Sequence, residues 1–160
     1  MSTISTTSTR SLSSVVLTWS FAFLPANLIP TIIARLVNDF EMSVGFAGAL
    51  ATAMTLLNSA TVLLIRPWVR RHSRGPVAGL GVIILIAVAV IGILLPGATV
   101  FTILLLLAGI GSGLVLGAAS ASISGMKDPD RSANIAMIFN RLMVALAFFT
   151  VPLIGGSMTA

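Results

Sequence analysis

Residues 77–95 read VAGLGVIILIAVAVIGILL, an uninterrupted run of nineteen residues without a polar side chain. An α-helix rises about 1.5 Å per residue, so this run can cross most of the roughly 30 Å hydrocarbon core of a bilayer. The whole chain has the same character: 57% of its 160 residues are hydrophobic, 8% are charged, and the mean hydropathy is +1.10. Soluble domains carry about 25% charged residues. The sequence therefore predicts an all-α membrane protein.

Four further apolar segments flank this run, two on each side along the chain. Each is long enough to form a transmembrane helix, although Pro25 and Pro30 interrupt the first. We therefore predict a bundle of five transmembrane helices within residues 15–156. The helices are placed at about 15–37, 43–65, 77–95, 100–124 and 133–154. The Ser- and Thr-rich residues 1–14 are predicted to form a disordered cytoplasmic segment, and residues 157–160 a short tail.

Basic residues lie on one side of the predicted bundle. If the N-terminus is cytoplasmic, the loops between helices two and three and between helices four and five are cytoplasmic too. The cytoplasmic segments then contain seven basic residues: Arg10, Arg66, Arg70, Arg71, Arg74, Lys127 and Arg131. The outer loops contain none, and Lys and Arg in short loops mark the cytoplasmic side. We predict a multi-pass protein of the plasma membrane with a cytoplasmic N-terminus, whose net charge of +5 requires no nucleic-acid partner.

The residue types that usually carry catalysis or bind metals are scarce. The chain has no cysteine and one histidine, His72, which lies in the basic loop. The five predicted helices contain no His, Asp or Glu, so general acid–base catalysis and metal-assisted chemistry lack their usual groups. We therefore predict no catalytic residue, no metal site and no cofactor, and a membrane-embedded enzyme is the least favoured function.

Polar side chains recur on one face of predicted helices one, two and five. Six of them are candidates for lining a substrate cavity: Asn27, Thr31, Arg35, Asn58, Asn140 and Arg141. For Asn27 and Asn58, interhelical hydrogen bonds are as well supported as ligand contacts. Arg35 lies near Asp39 and the outer boundary, so an interfacial anchor is the alternative. Arg141 lies about eight positions inside its predicted helix, where an arginine usually faces a cavity or a partner; snorkelling or a structural bond is the alternative.

Predicted helix four contains glycines at every fourth position, Gly109, Gly113 and Gly117. Residues four apart lie on one face of a helix, and glycine lets a neighbouring backbone approach closely. This GxxxGxxxG face predicts close helix packing. Predicted helix three, residues 77–95, has no polar side chain and is expected to lie at the periphery, facing lipid.

The basic segment between predicted helices two and three reads RPWVRRHSRGP. It resembles the signature loop GxLaDRxGRRP of the major facilitator superfamily of transporters. Arg71, Arg74 and Pro76 match that pattern, whereas Arg66 and Arg70 stand in place of its first glycine and its aspartate.

Two other stretches resemble patterns of the same family. Residues 105–111 are similar to its RxxxGxG pattern in helix four, with Leu105 in place of the arginine. Residues 152–156 resemble the PxxGG portion of a motif found in drug and proton antiporters, which implies proton-coupled efflux. The resemblance implies the fold of an incomplete N-terminal half, in which helices one, two, four and five line a central cavity and helix three is peripheral.

Members of that family have about twelve helices in two halves, with the substrate between them. The resemblance therefore implies that this bundle works with a second copy or with a C-terminal half. The leading hypothesis is a secondary active transporter, or a fragment of one, that moves a small organic solute across the lipid bilayer by alternating access. The alternative is a non-transporting membrane scaffold or assembly partner, favoured by the five-helix half and the glycine face.

Overall fold

A computed structural model of the chain describes residues 7–71 and 73–155. Every regular element within these residues is an α-helix, so the prediction of an all-α protein is confirmed. The helices are α1 (Thr7–Asn27), α2 (Ile29–Asn38), α3 (Val44–Arg71), α4 (Arg74–Leu94), α5 (Ala98–Ser124) and α6 (Pro129–Gly155). Short connections join them.

The first predicted helix is divided in two at Leu28, between α1 and α2. Pro25 lies inside α1 and Pro30 in the first turn of α2. Proline has no backbone N–H, so two intrahelical hydrogen bonds cannot form here. The N–H of Leu28 still donates to the Leu24 carbonyl at 3.0 Å, so α2 continues directly from α1. Helix α1 begins at Thr7, eight residues before the predicted start of this helix.

Four segments of the described chain are long and apolar enough to cross a membrane by length and composition. They are Ser13–Asn38, Val44–Val69, Arg74–Leu94 and Ala98–Ser124. The predicted fifth helix is present as α6, but over its described residues α6 is not among these four. Its first thirteen residues include Asp130, Arg131 and Arg141. The four apolar segments indicate a multi-pass membrane protein.

Helix α5 occupies the centre of the bundle. It packs against α3 on one side and α4 on another, and it also contacts α1 and α6. Of its apolar segment 50% is buried, against 11 to 17% in the other three segments. Lipid is as apolar as leucine, so close packing of small residues must hold such a helix in place.

The glycines of α5 meet two neighbouring helices. Gly109, Gly113 and Gly117 face α3, where a β-carbon on Gly113 would lie 2.7 Å from the Asn58 carbonyl oxygen. A β-carbon on Gly109 would collide with the Met54 carbonyl oxygen. The backbones of α3 and α5 are therefore in direct contact along the GxxxGxxxG face.

A second glycine contact joins α4 to α5. A β-carbon on Gly81 would lie 2.6 Å from the Gly111 carbonyl oxygen, and one on Gly111 would lie 3.2 Å from the Gly81 carbonyl oxygen. Elsewhere α4 exposes large apolar side chains. These include Leu80, Ile83, Ile86, Val90, Ile93 and Leu94. Helix α4 thus has one face packed against α5 and the rest exposed, an arrangement suited to lipid contact.

Candidate functional site

Two of the predicted cavity residues meet between α1 and α6. The Asn27 side-chain amide donates to the Asn140 side-chain oxygen at 3.1 Å, across 113 positions of sequence. Asn140 is 7% exposed and Asn27 half-buried. Such interhelical hydrogen bonds contribute about 0.6 kcal/mol on average in membranes. The pair lies at the end of α1, immediately before the break at Leu28.

Ser20 lies on the same face of α1 as Asn27, two turns earlier. Its side chain is 1% exposed, and the hydroxyl oxygen is the one buried side-chain polar atom within the described residues that lacks a hydrogen-bond partner. Seven residues separate the two side chains, or about 10 Å along the helix. Helix α1 therefore carries two polar side chains on one face, of which Asn27 is paired with α6.

Asn58 joins α3 to α5. Its side-chain amide donates to the Ser112 hydroxyl at 2.7 Å, and that hydroxyl donates to the Gly109 carbonyl at 3.0 Å. Sequence reasoning missed Ser112, although its position within the glycine face was a usable signal. Asn58 thus makes the interhelical hydrogen bond that was one of its two predicted roles.

Thr31 and Arg35 lie on α2. Thr31 is half-buried, and Arg35 is 66% exposed at its side chain. The Arg35 Nε donates to the Asp39 carboxylate at 3.1 Å, one turn along the helix. Asp39 is 50% exposed, and ion pairs this accessible to solvent contribute little to stability. This geometry fits an anchor at the boundary of the membrane.

Arg141 lies near the middle of α6, twelve residues after Pro129 and fourteen before Gly155. At 1.5 Å per residue, it is about 18 Å from the start of the helix. Its side chain is exposed, while the adjacent Asn140 is buried against α1. Among the described residues, the ion pair present is Arg35 with Asp39, so Arg141 has no carboxylate partner there.

An apolar cleft of about 800 Å³ separates the α1–α2 break from α4 and α5. Pro25 and Leu28 line it from the break, Ile86 from α4, and Leu104 from α5. Of the six predicted cavity residues, the cleft includes Arg35 alone. The polar candidates are therefore not gathered in one cavity: Asn27 and Asn140 form a pair, and Asn58 belongs to another interface.

The predicted basic loop is largely helical. Helix α3 continues through Pro67 to Arg71, and α4 begins at Arg74, with Pro76 in its first turn. The guanidinium of Arg74 lies against the end of α5, where a β-carbon on Gly125 would be 3.2 Å from Nη1. A cation is favourable beside the carboxyl end of a helix. Arg74 of α4 is therefore placed favourably beside the end of α5.

Several predicted residues fall outside the part of the chain that the structure describes. They are His72, Gly156, and the side chains of Arg10, Arg70, Arg71 and Pro152. Within residues 7–71 and 73–155, no three His, Cys, Asp or Glu side chains are placed to hold a metal ion.

Single cysteines test the predicted sidedness. Ser73, Lys127 and Thr99 are all exposed, and the chain has no cysteine of its own. Ser73→Cys and Lys127→Cys should react with a membrane-impermeant maleimide only after the cells are opened, and Thr99→Cys should react in intact cells. Labelling of Ser73→Cys from outside would contradict a cytoplasmic N-terminus.

Comparison of the chain with protein-family models, with curated proteins and with solved structures finds no match.

Proposed function

We propose that this chain is one bundle of a secondary active transporter of the major facilitator type, or a fragment of one, which works with a second copy or with a C-terminal half. It moves a small organic solute across the membrane by alternating access. The resemblance of residues 152–156 to an antiporter motif favours proton-coupled efflux. The observation that carries the proposal is the exposed Arg141 in the middle of α6.

The sequence predicts that α6 crosses the membrane, and an arginine at the centre of such a helix costs about 2.5 to 3.5 kcal/mol on insertion scales. Such residues therefore face a water-filled cavity, a partner or a ligand rather than lipid. Three exposed residues of α3 with hydroxyl groups, Thr52, Thr55 and Ser59, add to the polar surface of the bundle; the first two donate to carbonyls of their own helix. A cavity between two bundles would give these groups an aqueous or protein environment, and an anionic group of the solute would pair with Arg141.

The pair of Asn27 and Asn140 supports the same reading. It places a polar contact beside Arg141 and directly before the proline-broken segment at Leu28. Broken helices near the membrane midplane commonly supply the binding groups of secondary transporters. A single hydrogen bond is also weak enough to exchange for a contact to solute during transport.

The alternative function, that of an assembly partner, requires an exposed surface that binds a second chain. It relied on the glycine face of α5, yet Gly109, Gly113 and Gly117 pack against α3 within the chain. A second copy would therefore need another face, and the exposed side of α6 that carries Arg141 is one candidate.

Proteoliposomes provide the test of transport. The purified chain should take up one or more of a panel of radiolabelled small organic acids under an imposed proton gradient. If two copies form the pathway, the initial rate per chain should rise with the protein-to-lipid ratio. Uptake equal to that of protein-free liposomes at every ratio, with a stable dimer on cross-linking, would instead support the assembly function.

A further inference from the structure

We propose that the chain binds the headgroup of an anionic phospholipid in a cavity between the last turns of α3 and α5. This cavity has a volume of about 800 Å³ and is lined by Val62, Leu63 and Arg66 of α3 and by Gly117, Ser120 and Ser124 of α5. We name it the Arg66 cavity. The proposal is independent of the transport function, since it concerns neither Arg141 nor the cleft at Leu28.

The cavity lies at the depth where phospholipid headgroups begin. Helices α3 and α5 run parallel, because Gly113 of α5 contacts Asn58 and Gly117 contacts Ile65. Arg66 is therefore about level with Ala118, roughly 9 Å before the end of α5, and the cavity reaches that end at Ser124. The apolar segments Val44–Val69 and Ala98–Ser124 also end here, so the hydrocarbon region ends beside the cavity.

The lining groups match the two parts of an anionic phospholipid. Arg66 offers a planar guanidinium that can donate two hydrogen bonds to one phosphate. The exposed Ser120 hydroxyl can donate a third bond. Ser124 donates to the Ala121 carbonyl at 3.0 Å, so its oxygen remains able to accept from a glycerol hydroxyl. Val62 and Leu63 provide an apolar wall for an acyl chain.

The charges around the cavity favour an anion. Arg74, Lys127 and Arg131 are exposed at the same end of the bundle. Two carboxylates also lie there. Asp128 accepts a hydrogen bond from the Arg131 backbone N–H at 3.0 Å, and Asp130 occupies the first turn of α6, where a negative charge is favourable. Both carboxylates thus stabilise the start of α6, and within the described residues neither forms an ion pair with Arg66.

Trp68 gives a local reporter of the bound lipid. It is 51% exposed and lies between Pro67 and Val69, two further residues of the cavity wall. The chain has two tryptophans, so the Trp19→Phe variant reports on Trp68 alone. This variant is reconstituted into phosphatidylcholine vesicles that contain a small fraction of brominated phosphatidylglycerol, or the same fraction of brominated phosphatidylcholine. Bromine quenches tryptophan fluorescence on contact.

We expect phosphatidylglycerol to quench Trp68 with a relative association constant about five-fold higher than phosphatidylcholine, which is the contribution of roughly one basic residue. Arg66→Gln should remove this preference. Ser120→Leu, which fills the cavity and keeps the charge, should reduce it as well. Arg131→Gln is the matched control, because Arg131 lies at the same end of the bundle but does not line the cavity.

Three outcomes would overturn the proposal. The first is equal quenching by the two lipids in the Trp19→Phe protein. The second is an equal loss of preference in Arg66→Gln and Arg131→Gln, which would indicate general attraction to a charged surface. The third is an unchanged preference in Ser120→Leu, which would place the lipid outside the cavity. Circular dichroism of each variant verifies that the helices are retained.

Discussion

Replacing Gly113 with leucine should prevent the chain from reaching its folded state, whereas the same replacement at Gly79 should be tolerated. A β-carbon on Gly113 would already lie 2.7 Å from the Asn58 carbonyl oxygen and 2.7 Å from the Thr61 β-carbon. Leucine adds three further carbons to that contact. Overpacking typically costs about 1 to 3 kcal/mol even where side chains can adjust, and here part of the obstacle is backbone. The contact of α3 with α5 would have to open.

Gly79 is the matched control, since it lies within α4 and nothing approaches within 4 Å of its β-carbon position. Leucine there should gain up to about 1 kcal/mol of helix propensity. Thermal melting in detergent, followed by circular dichroism, together with size-exclusion chromatography, measures the difference. Gly113→Ala should lie between the parent and Gly113→Leu. Similar melting temperatures for Gly113→Leu and Gly79→Leu would show that the α3–α5 contact does not hold the bundle together.

The second large effect is expected at Arg141. If its charge binds an anionic group of the solute, Arg141→Gln should abolish uptake in proteoliposomes and leave the melting temperature nearly unchanged. Arg141→Lys should retain part of the activity, because lysine keeps the charge and loses the planar pair of donors. The melting temperature should stay unchanged because the Arg141 side chain is exposed and has no carboxylate partner among the described residues.

Arg131 provides the control, as it is an exposed arginine of the same helix in its first turn. Arg131→Gln should leave uptake intact. A structural role for Arg141 predicts a different pattern, in which activity and thermal stability fall together because a buried partner is left unpaired. Full uptake by well-folded Arg141→Gln would contradict the binding role. Arg141 would then be a snorkelling residue, with its aliphatic part along the helix and its charge at the membrane surface.

The sequence was most informative about single helices. Apolar run lengths located the helices, and Pro25 and Pro30 indicated where the first would be interrupted. Periodicity, however, shows which residues share a face and not which helix that face meets. The contact of Gly81 with Gly111 was missed for this reason, because the two glycines lie on different helices and no spacing along the chain relates them.

The candidate site shows the same limit. Sequence placed Asn27 and Asn140 each on a polar face, but their pairing across 113 positions depends on how α6 returns to α1. The apolar cleft at Leu28 could not be predicted, because its walls are residues that any lipid-facing helix also contains. The basic segment was expected to be a loop, but α3 extends to Arg71 with Pro67 inside it, although proline there removes a backbone hydrogen bond.

The two glycine contacts of α5 have a consequence for motion. Backbones that touch directly have no side chains between them to rotate or slide, so α3, α5 and α4 should behave as one rigid plate. Helix α1, by contrast, contains no glycine and meets α5 and α6 through side chains, an apolar cluster around Val16, Ile123 and Ala136 and the Asn27–Asn140 hydrogen bond. Helix α2 is fixed to the plate, because its Leu36 is fully buried against Leu50 and Met54 of α3 and Leu105 of α5, and bending at Leu28 would have to open that cluster.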